Sequence, residues 1–270
     1  NISDEFIQRL ENGDKDAVAR YQRSLKVKAI TGKGYYFFTD KTHRQQPACY
    51  HEQGYRCKAS QLCTEIVLSS DELETYICVL SSMNLSKWDE WKDTDAVFTA
   101  TVLLDCLNQD FIEKGKNIRG LEKTVRFAER HRALGLGALG FHTYLQSKGI
   151  DIESLEAHFI NQEMFEHLEE ESLKASKWMA ENWGEPEVCK GYGVRNTHRT
   201  AIAPNTTSAL ICGSVSQGIE PVYKNVYTQG TAAGEMTRIN PILLKVMQEK
   251  NVYTQETVND ILENKGSVQH

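Results

Sequence analysis

The sequence holds seven cysteines among 270 residues but no Cys-x-x-Cys pair. That absence excludes a zinc ribbon and a thioredoxin-type redox motif. No apolar run approaches the ~18–20 residues of a membrane-spanning helix, which excludes a helical span. Prolines number only 5, and no repeat or low-complexity linker interrupts the chain. Charge of one sign is not in large excess: 31 Lys+Arg face 37 Asp+Glu, a net charge of −6. A nucleic-acid binder or a polybasic membrane anchor would carry the opposite signature. The opening residues, Asn1-Ile2-Ser3-Asp4, are polar, lack a signal-peptide pattern and lack Met. The expectation is a cytoplasmic chain that has been processed, trimmed or taken from a longer one.

What is present is the composition of a soluble globular protein, 40% hydrophobic and 25% charged. Cys49, Cys57, Cys63, Cys78, Cys106, Cys189 and Cys212 are odd in number and widely spaced, as reduced intracellular thiols are. Most such thiols act as small hydrophobes. Hydrophobic periodicity predicts helices over residues 3–30, 93–114, 121–131, 141–148, 155–183 (one or two), 240–250 and 255–264. Tyr35 to Thr39 reads as a buried strand, and Ser60 to Leu68 as extended. Thr75–Leu80 and Thr200–Pro204 are further strand candidates. The pattern is a continuous α/β chain with no internal linker.

Four stretches carry chemistry or its imitation. Gly135-Leu136-Gly137-Ala138-Leu139-Gly140 matches the dinucleotide pattern GxGxxG. The fingerprint requires a hydrophobic strand before it, whereas Lys123–Arg130 is charged and helical. Close packing of backbone elements explains these glycines better. In Gln61-Leu62-Cys63-Thr64-Glu65, an extended backbone places Gln61, Cys63 and Glu65 on one face. An amide, a thiol and a carboxylate together suit a site where sulfur attacks or abstracts and a carboxylate moves a proton. On spacing alone the same residues also fit an exposed sheet edge. Cys78, in the apolar run Tyr76–Leu80, reads as core unless a neighbouring strand brings it to Cys63. Pro204-Asn205-Thr206-Thr207-Ser208 leads into a helix; its hydroxyls and free N–H groups suit an anion, or serve as an ordinary N-cap.

Taken in order, these segments resemble the large, catalytic subunit of aerobic, class I ribonucleotide reductase. Ser60-Gln61-Leu62-Cys63-Thr64-Glu65-Ile66 is similar to the family's finger loop, usually Ser-Asn-Leu-Cys-x-Glu-Ile. Cys78-Val79-Leu80-Ser81-Ser82-Met83-Asn84-Leu85 resembles the segment with one redox-active cysteine. Arg132-Ala133-Leu134-Gly135-Leu136-Gly137 resembles the arginine-led glycine stretch, Pro204–Ser208 the substrate-phosphate loop, and Gly218-Ile219-Glu220-Pro221 the signature after it. Asn240-Pro241 and Gly266-Ser267-Val268-Gln269 follow in order. The resemblance covers essentially all of residues 1–270 as part of the catalytic barrel domain, without the ATP-cone or the C-terminal redox tail.

The resemblance implies an α/β fold, part of a ten-stranded β/α barrel with a catalytic finger loop inside. It implies radical-based reduction of ribonucleoside diphosphates to deoxyribonucleoside diphosphates. Cys63 is then the thiyl-radical cysteine, Glu65 the base for the 3′-hydroxyl proton, and Cys78 one of two cysteines oxidised to a disulfide. Gln61 stands where the family usually has Asn, one methylene longer at the ribose. Ser60, Pro204, Asn205, Thr206, Thr207 and Ser208 are the implied substrate-binding residues. No cofactor or metal is implied on the chain itself. The radical comes from a metal-containing small subunit, and thioredoxin or glutaredoxin is the reductant. The family's upstream redox cysteine and downstream tyrosine pair have no counterpart here, so the expectation is a split or incomplete catalytic subunit, inactive without its complementing segments. Partners are those segments, the small subunit and the substrate, with no nucleic acid or membrane. Two alternatives stay open: an adenosylcobalamin-dependent reductase fragment, and a catalytically silent assembly module.

Overall fold

The structure is a computed structural model that describes residues 1–231 and 234–269; His270 lies outside them. It is mixed α/β, as expected, and helix-rich. The described strands make two two-stranded sheets, one from Leu80–Asn84 with Gly135–Leu139 and one from Val226–Thr231 with Gly234–Ile239. They form no closed ring of ten. Two compact units divide the chain, each assembled from three separated segments. Residues 1–79, 102–135 and 176–201 make the first; residues 80–101, 136–175 and 202–270 make the second. Because the segments interleave, no sequence linker marks the division.

In the first unit, the helical region near the N-terminus is two helices, Asp4–Glu11 and Lys15–Thr31. Asp14 starts the second by accepting from Ala17 N (2.9 Å), and Gly32 ends it in the left-handed conformation, where a Cβ is costly. The strand expected at Tyr35–Thr39 does not form. Tyr35 and Phe38 are exposed, and the backbone makes only an isolated parallel bridge from Phe38 to Ile2. Aromatic content alone suggested burial, but no strand lies alongside to complete a ladder. Short helices follow at Thr39–Gln45 and Ala48–Glu52. The Glu122–His131 helix packs Val125 and Ala128 on Ile112, with Ile77, Phe111 and Leu121 around them.

The second unit has its core where Leu85, Trp88, Ala138, Phe141, Tyr144, Leu145 and Met164 meet. The strand expected at Thr75–Leu80 begins instead at Leu80 and runs to Asn84. Gly135–Leu139, read only as a close-packing stretch, is a fully buried strand that feeds the Phe141–Lys148 helix. Gly140 makes that junction at φ +82°, and a Cβ there would lie 2.8 Å from Asn84 Oδ1. Thr200–Pro204 forms no strand: Thr200 alone makes a β-bridge, and the residues after it lead directly into the Thr206–Ile211 helix. The hairpin of Val226–Thr231 and Gly234–Ile239, which the hydrophobic pattern did not single out, packs Val226 against Met247, Val258 and Ile261. These come from the Pro241–Glu249 and Gln255–Glu263 helices.

The other helices lie where periodicity placed them. Ala96–Gly115 is one helix, and Leu155–Trp183 is one continuous helix of 29 residues. Met164, Leu168, Ser172, Ala175 and Met179, spaced three or four apart, are its buried face. No helix among the described residues is long and apolar enough to cross a membrane.

Candidate active site

The finger-loop residues do not run extended. Thr64 N donates to Gln61 O (3.1 Å), closing a tight turn with Leu62 and Cys63 at its tip. Thr64 takes φ +72°, an uncommon and costly conformation for a β-branched residue. The Gln61 side chain then reaches across the turn, and its Oε1 accepts from Ile66 N at 2.9 Å. These bonds are why the alternating-face arrangement of Gln61, Cys63 and Glu65 is replaced by a loop. The outcome still brings the three together: Cys63 is exposed at the tip, with Gln61 and Glu65 half-buried beside it. Two polar atoms at the base are buried without a hydrogen-bond partner: Gln61 Nε2, a donor, and Glu65 Oε2, an acceptor. Such orphaned groups are costly unless something pairs them. Ser60 is half-buried at the loop's entry. Just before it, the buried Cys57 thiol donates to Ala59 O (3.2 Å), and burial pushes that thiol up.

Cys78 belongs to the same unit and is solvent-accessible, not core. Partial burial pushes its thiol up, and Glu65 and then Cys63 push it the same way. Both finger-loop groups are therefore electrostatic neighbours of Cys78. The chain between them is pinned by Glu74, which is buried and receives Arg130, Arg126 (3.3 Å) and His131 Nε2 (2.9 Å). His131 is held in turn by Tyr50 Oη at 2.6 Å from Nδ1. Burial lowers His131 below the usual imidazole value, while Glu74 opposes that shift. Glu74 and Tyr50 carry no motif signal; charge spacing of Arg126 and Arg130 on one helix face was the available hint.

A second buried network surrounds Asp105. Its carboxylate accepts from Arg132 Nε (2.9 Å) and Nη2 (2.7 Å), Arg195 Nε (3.0 Å) and Asn196 Nδ2 (2.9 Å). Burial pushes Asp105 up, but the Arg132 and Arg195 guanidiniums outweigh it and leave the carboxyl below its ordinary range. Arg132 itself caps the Glu122–His131 helix at φ +44°. The arginine of the arginine-led glycine stretch is thus a structural anchor just before the Gly135–Leu139 strand.

Pro204 to Ser208 lies in the second unit. Asn205 does not cap the Thr206–Ile211 helix with its side chain. Its Nδ2 donates to Ala203 O (2.8 Å) and Ala138 O (3.2 Å), and its Oδ1 accepts from Ser82 Oγ (2.8 Å). The amide is spent tying the loop to the Leu80–Asn84 and Gly135–Leu139 strands, and Thr206, Thr207 and Ser208 are exposed in the first helical turn. Thr206 Oγ1 reaches Gln217 Oε1 at 3.3 Å. The Thr206 N–H donates to Pro204 O (3.0 Å), while those of Thr207 and Ser208 have no intrahelical acceptor. Together with Leu80, Ser81, Ser82, Leu139 and Cys212 the loop lines a cleft of about 470 Å³. The Gly218–Pro221 segment is fixed by Phe141 N donating to Gly218 O (3.3 Å) and by Val222 N donating to His142 Nδ1 (3.0 Å).

Comparison with known proteins gives one consistent answer. The family model described as the ribonucleotide reductase barrel domain matches residues 14–190 and 185–270. The chain is 36% identical over 258 residues to a ribonucleoside-diphosphate reductase large subunit of Invertebrate iridescent virus 3, covering 94% of this chain and 41% of that one. It is 27% identical over 323 residues to the ribonucleoside-diphosphate reductase subunit alpha of Chlamydia pneumoniae, covering 99% of this chain and 30% of that one. Among solved structures, the Actinobacillus ureae class Id ribonucleotide reductase alpha subunit matches with TM-score 0.92 and 43% identity, over 99% of this chain and 50% of that one. The chain therefore spans half or less of the length of these relatives.

Proposed function

This chain belongs to the ribonucleotide reductase barrel-domain family, and from that membership we propose that it carries the radical-forming loop and the diphosphate-binding loop of a ribonucleoside-diphosphate reductase large subunit. The observation that carries the reading is the finger loop's orphaned pair, Gln61 Nε2 and Glu65 Oε2, set beside an exposed Cys63 thiol. One buried donor and one buried acceptor complement the vicinal hydroxyls of a ribose: Glu65 accepts the 3′-hydroxyl proton, and Gln61 donates to a ribose oxygen.

The chemistry then proceeds on this chain's own side chains. Cys63, as a thiyl radical, removes the 3′ hydrogen of the substrate while Glu65 takes the 3′-hydroxyl proton. The 2′-hydroxyl leaves as water. Cys78 and a second thiol supply two electrons and become a disulfide, Cys63 returns its hydrogen to the 3′ carbon and is again the thiyl radical, and thioredoxin or glutaredoxin reduces the disulfide. Thr206, Thr207 and Ser208 hold the diphosphate through hydroxyl and N–H donors, on a loop shaped by Pro204 and Asn205; Ser60 borders the sugar side. A metal-containing small subunit supplies the oxidising equivalent that forms the thiyl. Names such as large subunit and subunit alpha among the relatives support this two-subunit reading over an adenosylcobalamin enzyme. A chain matching half or less of its relatives acts here together with the remaining segments of the catalytic subunit.

The test is Cys63→Ser in the assembled reductase, with the complementing segments, the small subunit and a thiol reductant present. An alcohol O–H is a much poorer hydrogen donor than a thiol, and the swap is nearly isosteric. Deoxyribonucleotide formation should vanish while diphosphate binding persists. Substantial turnover by Cys63→Ser would remove the sulfur from the radical role.

A further inference from the structure

Two cysteines outside the proposed active site are placed as a pair. Cys49 lies in the Ala48–Glu52 helix and Cys189 ends the Glu187–Cys189 turn. Both are buried, at 4% and 0% exposure, on two elements packed against each other, and each thiol perturbs the other electrostatically. The two elements are clamped together close to the sulfurs. Gln53 Nε2 donates to Val188 O (2.8 Å), and Tyr192 Oη donates to Glu52 Oε2 (2.7 Å). Glu187 is itself fixed by Arg130, through Nε at 2.8 Å and Nη2 at 3.0 Å. Neither element can drift without breaking these bonds, so the two thiols stay neighbours in the folded state.

We propose that Cys49 and Cys189 are a second redox site of this protein, a thiol pair that peroxide converts to an intrachain disulfide. The two thiols differ in access, at 4% and 0% exposure. The Cys189 thiol lowers Cys49; burial opposes this, and the backbone amides of Tyr50 and Cys49 favour it. Cys49 in turn is the chief cause that pushes Cys189 up, followed by burial. Cys49, which alone of the two has any solvent exposure, is the sulfur that peroxide reaches, and Cys189 is the resolving one. The Cys49 thiolate displaces hydroxide from hydrogen peroxide, giving a sulfenic acid and, with one proton, water. The Cys189 thiol then attacks that sulfur, forming the S–S bond and releasing a second water. Two thiols are oxidised by two electrons and one peroxide is reduced. The bridge encloses the finger loop and Cys78 within one covalent ring but uses neither.

The experiment is native treatment of the full chain with hydrogen peroxide, alkylation of remaining thiols and peptide mapping. The chain is compared with a variant in which the exposed Cys63, Cys78, Cys106 and Cys212 are all serine. The expected product in both is one Cys49–Cys189 cross-linked peptide, two hydrogens lighter than its thiols and reversed by dithiothreitol. In Cys189→Ser the bridge is absent, and dimedone captures Cys49 as the sulfenic acid. The mapping of the unsubstituted chain decides the matter even if a variant fails to fold. Recovery of Cys49 and Cys189 as free thiols after the exposed cysteines have oxidised overturns the proposal. So does a bridge from either one to any other cysteine.

Discussion

Replacing Asp105 by Asn isolates the contribution of one buried charge. Asp105 is 1% exposed and its oxygens are shared by two guanidiniums and an amide. The variant keeps volume and one acceptor oxygen but leaves Arg132 and Arg195 facing each other without a counter-charge; their side chains are only 6% and 12% exposed. Removing one partner of a buried ion pair costs about 3–5 kcal/mol. The residual acceptor and the partial exposure of Arg195 point to the lower end, about 3 kcal/mol. At about 2–4 °C per kcal/mol for a chain near this size, the thermal midpoint should fall by about 6–12 °C. Differential scanning calorimetry reads this directly, with Asp110→Asn as the control. Asp110 pairs with Lys114 at 2.7 Å in an exposed i, i+4 arrangement, and its loss should cost no more than about 0.5 kcal/mol. Acid gives a second reading. The folded Asp105 carboxyl sits below its ordinary value, so its stabilisation is complete above the ordinary carboxylate range and is lost as pH falls through the folded value. The gap between wild type and variant should therefore hold at neutral pH and narrow only under acid conditions. A midpoint for Asp105→Asn within 2 °C or so of the control would refute the reasoning, as would a gap that widens on acidification.

Three further outcomes follow from the geometry. Thr207→Val removes an exposed hydroxyl from the proposed diphosphate loop and should raise KM for nucleoside diphosphate about 10- to 100-fold in the assembled reductase, from a charged hydrogen bond of about 1.5–3 kcal/mol; an unchanged KM would place the diphosphate elsewhere. Gly140→Ala adds a Cβ 2.8 Å from Asn84 Oδ1 and 3.0 Å from Ser86 N at φ +82°, and left-handed strain alone is about 1–2 kcal/mol, so the urea midpoint should drop clearly. An unchanged midpoint would mean the junction tolerates a side chain. After one turnover without reductant, peptide mapping should find Cys78 oxidised but bridged to neither Cys49 nor Cys57, because Cys49 is buried and Cys57 is buried on Ala59 O; a bridge to either would overturn the proposed role of Cys78.

The helices were legible because their buried faces repeat at helical spacing over many residues, as Met164 to Met179 does. Strands were not. Gly135–Leu139 lacks β-branched residues, so propensity is silent and the strand exists only because Leu80–Asn84 pairs with it. Tyr35–Phe38 has the opposite failing, with strong local preference and no partner beyond the single bridge to Ile2. At the candidate site the residue types and their order were readable, and the backbone path was not. Alternation presumes a pleat, whereas the Gln61–Thr64 turn depends on a left-handed Thr64 and on an amide reaching Ile66 N, neither of which leaves a periodic trace. The Asn205 side chain shows the same limit: a residue type suited to capping is recruited by carbonyls distant in sequence.

The interleaving of the two units bears on how the chain is made. Residues 1–79 complete their unit only with residues 176–201. During synthesis, then, the segment bearing Cys63 must wait for more than half of the remaining chain to emerge. Its apolar side chains that the finished unit buries, including Tyr50 and Leu68, stay available to other surfaces through that interval. Distant pairings of this kind slow folding and lengthen exposure to aggregation. A ribosome-bound nascent chain truncated before residue 176 should remain protease-sensitive throughout its first 79 residues, and acquire protection there only once the later segment has been added.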